Sequence, residues 1–437
     1  MDFRASILPL YYVSKVMGLA PFSYSNKVSV HTKQKKSTKG LLSPNVLWSI
    51  FVLLIHLTGF IVNMLWSILY EYRKFSLSDI VPDLLTFLTL YSTSFVSVIG
   101  AVFNRRKMEN LMMNLTAIDQ ILLHENCNRV YRKTRRILLL ELSLIFTLLS
   151  GFYFYNIYKR VEGITAIILS FFFLAHISNG IMVIQYINIM QLLRHRFRNL
   201  NQQLAKCCDS KPRISYHNLI QIRRGKNRLN IRTTQTASTA NNLTDIPTTQ
   251  NYILPDISVP MSDAEPDEVS RIHTLRQTYS DLYDITGSIN GLYGYHITLE
   301  LACDFFSFVY NLYIVLDDLL NVNNTGEGNP GGEGSTMLMV VPDLCWLIVI
   351  VFRILSITAS CFAAGEEARR TESVVHKLLL RQTLLRDTSK ELKLFSKQLQ
   401  GNKVEFSAGG FFPVNLSLAY SMVGAATTYI IILFQFK

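Results

Sequence analysis

Charge is scarce in this sequence. Asp, Glu, Lys and Arg make up only 17% of 437 residues, against about a quarter in an ordinary globular protein. A disordered chain or a coiled-coil rod needs more charge and fewer large apolar side chains than this. Cysteine is scarce too. Cys127, Cys207, Cys208, Cys303, Cys345 and Cys361 have neither metal-site spacing nor a histidine cluster beside them, which excludes a zinc module and a disulfide-stapled scaffold. There is no glycine-rich phosphate loop, no His-Glu-x-x-His and no nucleophile elbow, so no enzyme, cofactor or metal is expected. The formal charge of +12 does not indicate nucleic acid, because the basic runs lack interleaved aromatics and a compact fold.

What is present is apolar: 49% of the residues, with 26 Phe and 21 Tyr. They fall in seven runs that can cross a bilayer core of ~30 Å, which takes about 20 helical residues. The runs are Val46–Tyr70, Leu84–Asn104, Ile137–Tyr158, Ile164–Leu193, Gly291–Leu316, Leu344–Gly365 and Phe406–Phe436. The fifth is weakest, because Glu300 and Asp304 lie inside it, and the sixth carries Arg353. The seventh opens with Gly409, Gly410 and Pro413, a cluster that starts or breaks a helix. The expected fold class is an all-α membrane protein of seven helices. No apolar core of the signal-peptide type sits near the N-terminus, so no cleavable leader is expected.

Lys and Arg set the orientation. The N-terminal segment and the second-to-third, fourth-to-fifth and sixth-to-seventh connections hold 37 of them, while the remaining connections and the C-terminus hold 5. Discounting the long fourth-to-fifth connection leaves 24 against 5, so the N-terminus is expected inside and the C-terminus outside. This is the reverse of a G-protein-coupled receptor, and the outer loops contain no cysteine for that class's disulfide. The sequon Asn323-Asn324-Thr325 falls on the outer side, making Asn323 a candidate glycosylation site.

The expected organisation is a cytoplasmic N-terminal segment (1–45), four spans (46–206), a polar insert (207–270), spans five and six (271–365), a charged cytoplasmic stretch (366–405) and a last helix (406–437). The insert has no apolar period and reads as disordered. The outer loop Asn321–Thr336 is rich in Gly and Asn. In the charged stretch Leu378, Leu385, Leu392 and Leu399 recur every seven residues, with Gln382 and Ser389 interrupting a companion seam. That fits either a helix resting on its own bundle or a segment joining subunits.

Ionisable groups inside spans are costly and are usually paired or functional. Glu300 and Asp304 share a helical face at i and i+4, at the depth of Arg353. Arg353 is therefore expected to pair with one of them, either as an architectural bridge or as the border of a polar ligand site. A second polar set occupies the outer halves of the spans: Asp83 and Thr86, then Tyr153, Tyr155 and Asn156, then His176 and Asn179. Tyr310, Asn311, Asp343 and Trp346 complete it. Each alone is more often an interfacial aromatic or a satisfied polar group. Together, aromatic faces with carboxylate, amide and imidazole groups suit a sugar.

The seventh span ends Thr428-Tyr429-Ile430-Ile431-Ile432-Leu433-Phe434-Gln435-Phe436, which resembles the Thr-Tyr, five apolar residues, Gln-Phe signature of insect gustatory receptors. Phe406-Ser407-Ala408-Gly409-Gly410-Phe411-Phe412, followed by Val414-Asn415, is similar to that family's approach to the helix. Tyr12-Val13-Ser14-Lys15, Leu19-Ala20-Pro21, Trp346, Arg353 and Glu367-Ala368-Arg369-Arg370-Thr371 resemble its fructose-receptor subfamily. The resemblance implies a tetrameric, tastant-gated, non-selective cation channel passing Na, K and Ca ions. It would sit in the plasma membrane of sensory-neuron dendrites, as a homotetramer or a heteromer with other gustatory subunits. The tastant would be a sugar, fructose in particular; a polyol or bitter compound, or an odorant-receptor-like subunit, are the alternatives. Gln435 and Phe436 would form the gate near the outer pore mouth, with Phe434 beside them and Thr428 and Tyr429 deeper. The charged stretch 366–405 would join subunits below the membrane.

Overall fold

The computed structural model describes residues 3–22, 43–72, 77–122, 127–159, 163–207, 265–324, 333–380 and 386–435, and nearly all of them are helical. Helix α1 (Phe3–Val16) precedes the first span, α2 (Pro44–Trp66). Pro44 lies in the first turn of α2, where a missing N–H leaves no hydrogen bond unmade, and the helix runs on into a π turn, Ser67–Glu71. Then follow α3 (Leu77–Phe103), α4 (Arg105–Leu122), α5 (Cys127–Lys159), α6 (Gly163–Cys207), α7 (Glu265–Asn324), α8 (Glu333–Leu379) and α9 (Arg386–Gly401). A two-strand hairpin, β1 (Ser407–Ala408) and β2 (Phe412–Pro413), leads into α10 (Leu416–Gln435). Among the described residues seven helices carry stretches long and apolar enough to cross a membrane, α2, α3, α5, α6, α7, α8 and α10, in the order of the seven sequence runs.

Several boundaries differ from expectation, for one reason. The fourth run does not stop at Leu193. Beyond it Phe197, Leu200 and Leu204 keep the i, i+4, i+7, i+11 stripe and are buried in protein, so α6 continues to Cys207. Likewise Ile272, Leu275, Tyr279, Leu282 and Ile289 extend a buried stripe N-terminal to the fifth run. Helix α7 is therefore 60 residues long, roughly 90 Å and about three times the hydrocarbon core. A stripe of Ala364, Ala368, Val375 and Leu378 does the same for α8. A hydropathy window finds long apolar runs; an amphipathic stripe that faces other helices holds a helix together without such a run.

The charged stretch 366–405 is consequently not one helix. Its first part ends α8, and the rest is α9. Leu378, Leu392 and Leu399 are buried, and Phe395 packs edge-on to Tyr279 of α7 at 5.8 Å. The leucine seam thus faces its own protomer. Leu385, Gln382, most of the insert (208–264) and Phe436 lie outside the described residues. The expected outer loop shrinks at both ends, since α7 reaches Asn324 and α8 begins at Glu333.

The last span starts later than its run because of the hairpin. Ser407 pairs with Pro413 and Ala408 with Phe412. The turn is closed by Phe411 N–H donating to the Ala408 carbonyl at 3.0 Å. Gly409 and Gly410 both have positive φ, 59° and 80°, the left-handed pair that a tight hairpin turn requires. The turn seats on α7: a Cβ on Gly294 would meet Gly409 N at 2.9 Å. Asn290 donates to the Glu405 carbonyl at 2.9 Å, and Tyr279 OH to that of Asn402 at 3.1 Å. The segment leading into α10 is thereby fastened along one side of α7. Gly294→Ala should cost about 1–3 kcal/mol by overpacking, read as a lowered thermal midpoint of the purified protein; an unchanged midpoint would show that the seat is loose.

Candidate functional site

Helical spacing decides which side chains converge between α3, α5, α6, α7 and α8. On α6, Leu169, Phe172, Phe173 and His176 lie at i, i+3, i+4 and i+7, a single stripe. On α3 Asp83, Thr86 and Phe87 form one turn; on α5, Phe152, Tyr155 and Asn156 do. Ser307, Tyr310 and Asn311 face them from α7, and Pro342, Asp343 and Trp346 from α8. Together they enclose a cavity of about 570 Å³, far larger than two others of about 50 and 80 Å³ in the opposite half of the bundle.

Its walls are aromatic. Trp346 meets Phe152 edge-on at 5.1 Å and His176 at 5.0 Å, and Phe172 meets His176 at 4.6 Å. Such edge-to-face contacts fix ring orientation. The polar groups among them are the more telling. His176 is 4% exposed, yet neither ring nitrogen has a hydrogen-bond partner, and the buried Thr86 hydroxyl has none either. Buried polar atoms are rarely left unpaired, so both groups are open to a hydrogen bond from whatever occupies the cavity. Asp83 accepts a hydrogen bond from Tyr72 OH at 2.9 Å. Asn156 and Asn311 each donate to a carbonyl one turn back, Phe152 at 2.8 Å and Ser307 at 2.6 Å.

Beneath the cavity lies an ion cluster. Arg353 Nη2 is 3.1 Å from Asp304 Oδ1 and also contacts Glu300 Oε1. Both carboxylates are buried, Glu300 fully. The guanidinium on α8 thus engages both acids of α7 rather than one. Arg353 is two turns along α8 from Trp346, and Asp304 is one turn along α7 from Ser307, so the cluster forms the floor below the lining. One turn further, His296 Nδ1 lies 2.6 Å from Ser97 Oγ of α3.

The expected ligand residues therefore divide. Asp83, Thr86, Tyr155, Asn156, His176, Tyr310, Asn311, Asp343 and Trp346 line the cavity, while Asp304 and Arg353 are absent from its lining and lie below it. Asn179 does not line it: its amide donates to the Leu90 carbonyl at 3.1 Å and accepts from Ser94 Oγ at 3.0 Å, fastening α6 to α3. Asn63 fastens α2 to α3 and α6 in the same way, through Tyr91 OH and the Ile168 carbonyl. Tyr153 bonds Ser170 at 2.8 Å instead of facing the cavity. The apolar wall (Phe87, Phe152, Phe172, Phe173) escaped a search for polar groups; its signal was position, each residue lying within one turn of a polar lining residue.

On α10 the buried stripe is Ala419, Ala426, Ile430 and Leu433. Tyr429 and Phe434 flank it and pack with Val309 and Tyr313 of α7, with Phe434 and Tyr313 ring centres 5.2 Å apart. Thr428 and Gln435 are exposed. Of the expected pore residues, then, Thr428 and Gln435 lie on the open face, and Tyr429 and Phe434 turn to their own protomer.

The family model described as 7tm Chemosensory receptor matches residues 7–437. Gustatory receptor 28a of Drosophila melanogaster is 27% identical over 352 residues, covering 77% of this chain and 72% of that protein. Gustatory receptor 2a of the same fly is 26% identical over 191 residues, 40% of this chain and 43% of that protein. In fold, the chain is similar to the insect olfactory receptor OR5 from Machilis hrabei, with a TM-score of 0.61 at 12% identity over 99% of this chain and 98% of that one. It is also similar to the same receptor in complex with eugenol, with a TM-score of 0.56 at 13% identity over the same shares.

Removing one partner from a buried ion cluster leaves uncompensated charge and costs about 3–5 kcal/mol. Arg353→Met should therefore sharply reduce folded protein at the cell surface. Combining it with Glu300→Gln and Asp304→Asn should restore much of the loss. Normal surface levels for Arg353→Met alone would show that the cluster is dispensable.

Proposed function

The chain belongs to the 7tm chemosensory receptor family, so it is a multi-pass membrane receptor and not an enzyme; on that premise we propose that it is a gustatory receptor acting as a tastant-gated, non-selective cation channel. The observation that carries the reading is the cavity itself: aromatic walls, two buried polar groups without partners, and a charged floor joining α7 to α8. The proposed tastant is a sugar, fructose first. Ring faces take up its C–H surfaces, and the unpartnered His176 and Thr86, with the amides and carboxylates, meet its hydroxyls. A second reading, a less polar aromatic tastant, is favoured by the share of the wall given to Phe87, Phe152, Phe172, Phe173 and Trp346.

Gating follows from what α7 and α8 hold. A ligand shifts the channel only if it binds the open arrangement more tightly than the closed one. In the proposed mechanism a ligand bridging α3 and α6 to α7 and α8 draws those two helices inward. Helix α10 packs on α7 through Ala426, Ile430 and Leu433, and on α8 through Ala419 with Ile350 and Ile354. The hairpin ties its start to α7. Movement of α7 and α8 therefore carries α10 with it. Four copies would set the exposed α10 faces, with Tyr420, Thr427, Ile431 and Gln435, around a central pore. Phe436 would close it by dewetting and Gln435 would offer polar contact when open. The proposed location is the plasma membrane of sensory neurons, C-terminus outward, with a glycan on Asn323.

Cells expressing the chain alone should pass a cation current when given D-fructose. Current for phenolic or bitter compounds but not sugars would select the second reading. Gln435→Ala with Phe436→Ala should raise the ligand-free current, and unchanged basal current at normal surface expression would count against the gate. A glycosidase-sensitive mobility shift, lost in Asn323→Gln, checks the outward orientation; no shift in the native chain would contradict it.

A further inference from the structure

The half of the bundle opposite the large cavity holds a second chamber of about 80 Å³ between α3, α4, α6 and α7. That is ample for several waters or one small solute, since one water needs only ~10–15 Å³ on this measure. It adjoins the smaller chamber of about 50 Å³, and Leu19, Phe22, Met108 and Tyr293 line both. Among the described residues no Asp, Glu, Lys or Arg lines either one, which disfavours an ionic occupant. The walls of the larger chamber are mostly apolar, with Met108, Met182 and Leu292 among them. Asn104 and the hydroxyls of Tyr293 and Tyr295 also line it, Tyr293 being bonded to Gln185, but one buried polar atom of the lining has no partner. His296 lines this chamber at 2% exposure, its Nδ1 is engaged by Ser97, and its Nε2 has no partner. A neutral imidazole nitrogen in an apolar pocket needs a hydrogen-bonding group from whatever enters.

The chamber has its mouth where Gly100 of α3 and Gly291 of α7 leave open space. A Cβ on either would meet nothing within 4 Å. Tyr295 beside them is 67% exposed. Gly100 lies near the end of the second apolar run and Gly291 opens the fifth, which puts the chamber at one edge of the spans, within reach of a membrane-soluble solute. One polar end, an apolar remainder, no charge and this volume describe a short aliphatic alcohol.

We propose that this chamber is a second ligand site, for a short-chain alcohol whose hydroxyl bonds His296 and whose alkyl chain lies on the Met108–Met182–Leu292 wall. The occupant sits where α3 packs on α7. His296 is one turn from Glu300, so occupancy bears on the helix that carries the ion cluster.

The test is photolabelling of the purified full chain in lipid nanodiscs with 3-azibutanol, mapped by mass spectrometry, with 1-butanol as competitor. The expected result is saturable labelling at Met108, Met182, Tyr293 or Tyr295 that 1-butanol suppresses. Yield should fall roughly fivefold in His296→Phe, the worth of one net hydrogen bond. It should fall at least as far in Gly100→Leu, which narrows the mouth. Should His296→Phe not fold, Gly100→Leu carries the test, since its added side chain enters open space. Labelling spread evenly over lipid-facing side chains such as Ile61 and Phe352, or insensitive to Gly100→Leu, overturns the proposal. The labelling needs no channel current and no tastant, so this site and the gating mechanism stand or fall separately.

Discussion

One guanidinium held against two carboxylates inside an apolar bundle constrains much of what surrounds it. Desolvating three ionic groups is costly, and close contact recovers that cost only if the helices bearing them hold one relative rotation. With Arg353 engaging Glu300 and Asp304, α7 and α8 cannot turn about their axes independently. That rotation presents Ser307, Tyr310 and Asn311 from one helix, and Asp343 and Trp346 from the other, to the same space. The cavity is in this sense a consequence of the cluster below it. Substituting a lining residue changes what fits; breaking the cluster changes whether the lining converges.

The same two helices carry the connection to α10. Its buried stripe lies on α7 and α8, and the residues before it are fastened to α7 at Tyr279, Asn290 and Gly294. Glycine is needed on both sides of that seat, at Gly294 for closeness and at Gly409 and Gly410 for the turn. The path from cavity to last helix runs through packed side chains and backbone hydrogen bonds, with no long unstructured link among the described residues.

Much of this was legible in the sequence, for identifiable reasons. Seven spans follow from long apolar runs, whether these face lipid or, as in α6, mostly other helices, and the lining residues Asp83, Thr86, Tyr155, Asn156, His176, Tyr310, Asn311, Asp343 and Trp346 follow from polar groups standing out against an apolar background. Asn179 did not fit, because a buried amide that fastens two helices looks the same in sequence as one that awaits a ligand. The lengths of α6, α7 and α8 were hidden because stripes such as Phe197–Leu200–Leu204 are too polar on their other face to register as spans. The phenylalanine wall was hidden for the converse reason: in a membrane protein one more Phe carries no signal until its neighbours are placed. Tyr429 and Phe434 illustrate a third limit, since a signature marks a helix without saying which of its residues face inward.

The proposed mechanism rests on one claim, that a tastant bound in the cavity draws α7 and α8 inward and so moves the last helix. Ser307→Trp places a large ring in the cavity from α7 and leaves the residues of α10, the hairpin and the ion cluster unchanged. The most direct measurement is whole-cell current from this variant, alone and combined with Gln435→Ala and Phe436→Ala. The account predicts that the tastant-evoked current disappears while the ligand-free current of the combined variant remains. A tastant response that survives with the cavity filled would contradict it.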